Sequence, residues 1–212
     1  MSKSFKFAFK QTIPVLLGYL FLGIAFGLLL QHAGYNFIWA FFSSLFIYAG
    51  SMQFVMASFI GSGISFVSVA LMTLSINSRH MFYGLSFIER FKKMGKAFPY
   101  MIFSLTDETY SLLCGLKPIE GLNENKVCLY IALLDHSYWI MGSVLGALLG
   151  EMLPFNTEGV EFAMTALFVV IFVEQWLDSK SHFPALMGLA CGAACLVLFG
   201  PENFILPSLL CA

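Results

Sequence analysis

Residues 14–30 read PVLLGYLFLGIAFGLLL, a run without one charged side chain. A helix needs roughly 20 mostly apolar residues to cross a hydrocarbon core of about 30 Å, and this run with its flanks meets that need. Further apolar runs follow at 37–60, 64–88, 98–116, 127–150, 159–176 and 184–199, with a short apolar tail from Phe204. Over the 212 residues 59% are hydrophobic and 11% charged, and the mean hydropathy is +0.84. A soluble domain usually carries about a quarter charged residues, so a water-facing surface cannot be assembled from this composition. The expected class is all-α: a polytopic transmembrane helix bundle of about seven hydrophobic segments, forming a single transmembrane domain over residues 1–212.

The links between runs are short, and the most charged is ERFKKMGK at 89–96. None is long enough for a separate soluble activity, so function must lie among the helices. The start, MSKSFKFAFK, is basic but is followed by no small-residue cleavage site, and it reads as a cytoplasmic arm. Cys114, Cys128, Cys191, Cys195 and Cys211 show no CxxC or Cys/His pattern and read as small core residues. No metal or cofactor is expected.

Lys and Arg of short loops concentrate on the cytoplasmic side. If every run crosses once with the amino terminus inside, Lys3, Lys6, Lys10, Lys117, Lys126 and Lys180 lie inside, but Arg90, Lys92, Lys93 and Lys96 lie outside. If 37–60 enters and returns on one side, the 89–96 loop moves inside. If 159–176 does likewise, only Lys117 and Lys126 remain outside. These two runs also resemble each other: Ser43-Ser44-Leu45-Phe46 with Gln53-Phe54 lines up with Thr165-Ala166-Leu167-Phe168 with Gln175-Trp176, an offset of 122 from Ser43 to Thr165. Gly23 and Gly27 correspond similarly to Gly146 and Gly150. The pattern suggests repeat halves at 14–88 and 127–199 linked by 98–116, parallel with single crossings and inverted with two hairpins. Chance likeness among apolar helices is the competing reading.

Charges inside a bilayer are costly, about 2.5–3.5 kcal/mol at a helix centre on insertion scales, and therefore mark candidate sites. Asn77-Ser78-Arg79-His80 interrupts the third run, and Asn77, His80 and Gly84 fall near one helical face. Arg79 points elsewhere unless the helix breaks there. Thr106-Asp107-Glu108 lies in the fourth run, and Asp135-His136 with Trp139 in the fifth. Asp135 and Trp139, four apart, offer a carboxylate beside an aromatic wall, suited to an ammonium group. The blander alternative is that Arg79 neutralises Asp107 or Asp135 and only holds the bundle together. His80 and His136 are candidate proton carriers, since an unperturbed imidazole titrates near neutral pH, and Gln53 and Gln175 carry amides for a cavity or for helix-to-helix hydrogen bonds. Ala49-Gly50-Ser51, between Tyr48 and Gln53, is the place expected to unwind.

Pro14, Gly18-Tyr19, Ala25-Phe26-Gly27, Tyr48 to Ser51 with Gln53-Phe54, Asn77 to His80 with Tyr83-Gly84-Leu85-Ser86, Asp107-Glu108, Trp139 with Gly142, and Phe162, Thr165 to Phe168 and Glu174-Gln175-Trp176 together resemble the AzlC family over nearly the whole chain. The resemblance implies the large subunit of a bacterial branched-chain amino acid exporter in the cytoplasmic (inner) membrane. It also implies a small AzlD-type membrane subunit as partner and a proton gradient as driving force. The expected substrate contacts are Asn77, Arg79, His80, Asp135, Trp139, Gln53 and Gln175, and the expected proton carriers Asp107, Glu108 and His136. An uncoupled channel, a structural membrane subunit and an intramembrane metalloenzyme are the alternatives; no HExxH spacing supports the last.

Overall fold

The computed structural model describes residues 2–60, 63–116 and 121–152, positions 162, 165, 166, 169, 172, 173, 176, 177 and 179, then 181–200, 207, 208 and 211. Every regular element among the described residues is helical: α1 (Lys3–His32), α2 (Phe37–Phe46), α3 (Gly50–Phe59), α4 (Phe66–Lys92), a 3₁₀ turn (Gly95–Ala97), α5 (Phe98–Phe103), α6 (Asp107–Gly115), α7 (Glu124–Met152) and α8 (Phe183–Phe199). Helices α1 and α7 are long and apolar enough to cross a membrane. Large apolar side chains such as Leu17, Phe21, Leu74 and Phe82 face outward, each about two-thirds exposed or more. That is the surface a lipid solvent selects.

Helices α1 and α7 form the spine and run parallel. Phe5 meets Tyr130 edge-on at 5.5 Å, the Thr12 and Tyr138 hydroxyls lie 3.1 Å apart, and Gly150 faces Gln31. Contact this intimate requires glycine. A Cβ on Gly23 would stand 2.9 Å from the Ser143 backbone nitrogen, and one on Gly142 2.7 Å from the Tyr19 carbonyl. Gly27 and Gly146 are tighter still, against Ser143 and Ile24 backbone oxygens. Small residues on facing helices let backbones approach where lipid offers no hydrophobic drive between them.

This spine measures depth. From the end where α1 stops, α2 descends only to the middle of α7, where the Ser44 carbonyl accepts His136 Nε2 at 3.1 Å. The chain turns through Ile47–Ala49, with Tyr48 in the left-handed region at φ 43°, and α3 starts beneath Trp139. It then climbs back, placing Phe54 against Phe26 at 5.8 Å. Helix α4, about 40 Å long at 1.5 Å per residue, runs the full depth antiparallel to the spine, from the α3 end to an ion pair between Arg90 and Glu124 at 3.5 Å.

A second half-length pair enters from that opposite end. Helix α5 rises along α7, with the Tyr100 hydroxyl 3.1 Å from His136 Nδ1. The chain breaks at Ser104–Thr106, and α6 descends beside α4, with Asp107 at Arg79 and Tyr110 stacked on Tyr83 at 4.4 Å. The two tips meet halfway, Tyr48 and Phe103 rings lying 6.2 Å apart.

Two expectations change. The run 98–116 is a hairpin and not a single crossing, because Thr106 and the acids after it end α5 and start a fresh helix. Lys126 consequently lies at the end that holds Lys3 and Arg90, and α1 and α7 are parallel although 37–60 turns back. Helix α4 is also continuous through Asn77–His80; the unwound backbone lies in the hairpin tips. The run 159–176 falls largely outside the described residues, and with it the suspected repeat.

Candidate functional site

Where the tips meet α1, α4 and α7 lies a cavity of about 950 Å³, at the upper end of the range for small-molecule sites. Its polar lining includes Ser51, Asn77, Arg79, His80, Asp107 and Glu108, and its apolar lining includes Pro14, Val15, Leu22, Leu112 and Trp139.

Arg79 dominates the polar side. Its Nη1 lies 2.8 Å from Asp107 Oδ2, and Nη2 donates to Ser51 Oγ at 2.9 Å, so one guanidinium bridges both hairpin tips. Arg79 Nε, Asp107 Oδ1 and Asn77 Oδ1 are buried without a hydrogen-bond partner among the described residues. Buried polar atoms are ordinarily satisfied, and three orphans around one cavity indicate room for a polar ligand or water. The ion pair is only partly sheltered, its side chains 22% and 32% exposed, so its charges face the cavity and are not sealed against each other.

Both returning half-helices begin at this cavity. Helix α6 is capped by Thr106, whose Oγ1 accepts the Thr109 N–H, and carries Asp107 and Glu108 in its first turn, where the helix dipole favours negative charge. Helix α3 has Ala49 at its N-cap and no side-chain cap, so its amino end at Gly50 and Ser51 opens on the cavity. Glu108 accepts the Tyr19 hydroxyl at 2.6 Å.

Behind this lining sits a buried shell. Gln53 Oε1 accepts both the Ala49 N–H at 3.2 Å and Trp139 Nε1 at 2.9 Å, while its amide donates to Ser44 Oγ at 3.3 Å. This one side chain ties the first hairpin tip to α7. Asp135, fully buried, accepts Thr109 Oγ1 at 2.9 Å. His136 is pinned between Tyr100 and the Ser44 carbonyl and stacks on Tyr48 at 4.2 Å.

Of the residues singled out by sequence, Asn77, Arg79, His80, Asp107, Glu108 and Trp139 line the cavity. Gln53, Asp135 and His136 stand in its wall, and Gln175 lies outside the described residues. Tyr19, Ser51 and Thr106 were missed. Thr106 carried a readable signal, a capping residue followed directly by two acids; Tyr19 lay in a glycine-bearing run that reads as packing alone.

Long apolar helices enclosing two opposed half-helix pairs, with a charged cavity at their meeting point, define a helical membrane protein organised as transporters are. Residues 14–153 match the family described as AzlC protein. The chain belongs to the AzlC family. It is 40% identical over 207 residues to the branched-chain amino acid transport protein AzlC of Bacillus subtilis, covering 98% of this chain and 82% of that one. A membrane protein of Helicobacter pylori strain J99 is 45% identical over 98% of this chain and 91% of its own length. The inner membrane protein YgaZ of Escherichia coli K12 is 29% identical over 99% and 88%. No solved structure matches. The protein is thus a membrane protein with a role in transport.

Proposed function

We propose that this chain is a secondary transporter that exports branched-chain amino acids, leucine, isoleucine and valine with methionine as a further candidate. The name of the Bacillus subtilis relative supports that substrate class. The observation that carries the reading is the half-open Arg79–Asp107 pair between two half-helix amino ends. A zwitterion with an apolar side chain needs a cation or helix amino end for its carboxylate, an anion for its ammonium, and a greasy wall. Arg79 with the start of α3 offers the first, Glu108 and Asp107 the second, and Val15, Leu22, Leu112 and Trp139 the third.

Charge distribution supports an amino terminus in the cytoplasm. Lys3, Lys6, Lys10, Arg90, Lys92, Lys93, Lys96 and Lys126 gather at one end of the spine, whereas 28–60, 63–66 and 146–152 towards the other contain no Lys or Arg. Moving the second hairpin to 98–116 gives this bias without placing Lys126 outside. The membrane is the bacterial inner membrane, the driving force a proton gradient, and a small AzlD-type subunit completes the exporter. Protonating an acid at the cavity and filling the cavity then bias one inward-to-outward equilibrium.

The test is efflux of leucine, valine, methionine and a polar control from cells expressing the chain with and without the small subunit. Gradient-dependent efflux of the apolar amino acids is expected. Equal efflux of the polar control, or flux indifferent to the proton gradient, overturns the assignment in favour of a pore.

A further inference from the structure

Four hydrogen bonds join two carboxyl groups through three hydroxyls. Glu108 Oε2 meets the Tyr19 hydroxyl at 2.6 Å, Tyr19 meets Thr106 Oγ1 at 2.8 Å, Thr106 meets Thr109 Oγ1 at 3.2 Å, and Thr109 meets Asp135 Oδ2 at 2.9 Å. The first acid lines the cavity; the last is fully buried on α7. The chain of contacts crosses from α1 through the second hairpin tip to α7, and Thr106, Thr109 and Tyr19 are each nearly or wholly buried.

Proton counting makes this array more than packing. Each hydroxyl has one hydrogen to donate, so three hydroxyls supply three hydrogens for four links. With both acids ionised, the outer hydroxyls donate outward and one inner link is empty. The array is complete only when one further proton is present, on one of the two acids. If Glu108 holds it, every O–H points towards Asp135; if Asp135 holds it, every O–H points towards Glu108. These two filled states are mirror images.

We infer that Glu108, Tyr19, Thr106, Thr109 and Asp135 form a proton relay that shuttles one proton between the cavity and a buried store on α7. The inference rests on the proton-coupled reading above and names the path within that site. The proton enters on Glu108, Glu108 gives its hydrogen to Tyr19, Tyr19 to Thr106, Thr106 to Thr109, and Thr109 to Asp135. Each oxygen breaks one O–H bond and gains another, so all three hydroxyls are regenerated and the net movement is one proton. Asp135 has no opening of its own to solvent, so the proton returns by the same route once the cavity faces the other side. Other groups set its balance: Asp107 beside Glu108, Arg79 on α4 held by Asp107, Tyr48 of the first tip, Tyr100 on α5, and His136 and Tyr138 on α7.

Thr109 does not line the cavity, and Thr109→Val keeps its shape while removing the hydroxyl. In proteoliposomes holding the complete transporter, this variant is expected to retain substrate exchange across the membrane at equal pH. Substrate-driven proton movement should fall at least about tenfold, since a methyl in place of the hydroxyl leaves no O–H to pass a proton from Thr106 to Asp135, and Thr109→Ser should restore it. Undiminished proton movement per substrate in Thr109→Val overturns the relay. A second measurement needs no transport. Infrared difference spectra of the protein in nanodiscs should show a protonated carboxyl whose C=O stretch shifts in Thr109→Val and disappears in the Glu108→Gln, Asp135→Asn double variant. A carboxyl band unmoved by Thr109→Val, or no such band, also overturns the relay. If the infrared result holds while the wild type carries no amino acid, the relay stands and the substrate assignment falls.

Discussion

Arg79 on α4 reaches Asp107 at the tip of the second hairpin and, with its other terminal nitrogen, Ser51 at the start of the first. One side chain therefore reports on the separation of the two tips. Arg79→Ala is expected to abolish transport while leaving the protein in the membrane, and to cost about 1–3 kcal/mol by stranding the half-sheltered Asp107. Arg79→Lys should not rescue, since an ammonium lacks the planar fork that spans both partners. Substrate flux set against membrane yield checks this, and normal export by Arg79→Ala would remove Arg79 from the site.

Gly27 and Gly146 meet backbone in the opposing spine helix, which cannot swing aside as a side-chain tip can. Gly146→Ala should force α1 and α7 apart at a cost of about 1–3 kcal/mol or more, read as lower thermal stability in detergent. Gly188→Ala on α8, with nothing among the described residues within 4 Å of a Cβ, should be neutral or slightly stabilising.

Gln53→Leu would strand the buried Trp139 N–H and the partly buried Ala49 N–H. Each unsatisfied donor costs about 1–3 kcal/mol. The first hairpin should loosen, with a lowered unfolding temperature and weaker substrate binding. Gln53→Glu keeps the acceptor oxygen for both N–H groups and should retain more of the stability.

Cys114 is exposed and borders the cavity. A polar thiol reagent should modify it and inhibit flux, saturating leucine should slow the reaction, and Cys114→Ser should be resistant. In a background free of native cysteines, Lys93→Cys should label only from the cytoplasmic face and Ile64→Cys only from the opposite one. The reverse pattern would invert the proposed orientation.

Much of this was legible in the chain. Composition demanded lipid, and charges in apolar runs singled out Arg79, Asp107 and Glu108, because a buried charge survives only with a partner or a cavity. The unwinding beside Gly50 was readable from a polar, small-residue stretch inside an apolar run. The second hairpin was hidden because Phe98 to Leu116 has the length of an ordinary crossing, and only the cap at Thr106 betrays the break. Gln53 and Asp135 were expected to contact substrate, and the fold sets them in the wall behind the cavity, bonded to Ala49, Trp139 and Ser44 and to Thr109: sequence shows that a buried amide or acid needs partners, and only the fold shows whether those partners are protein groups. With 37–60 turning back, the parallel pairing of α1 and α7 depended in turn on locating that second hairpin.

The opposed hairpin tips carry a consequence for electrical work. Each half-helix stops midway, so Arg79, Asp107 and Glu108 stand where the tips meet, deep between the two ends of the spine. Moving one elementary charge through the whole field is worth about 2.3 kcal/mol per 100 mV, so any net charge carried past Arg79 and Asp107 does electrical work that the membrane voltage either aids or opposes.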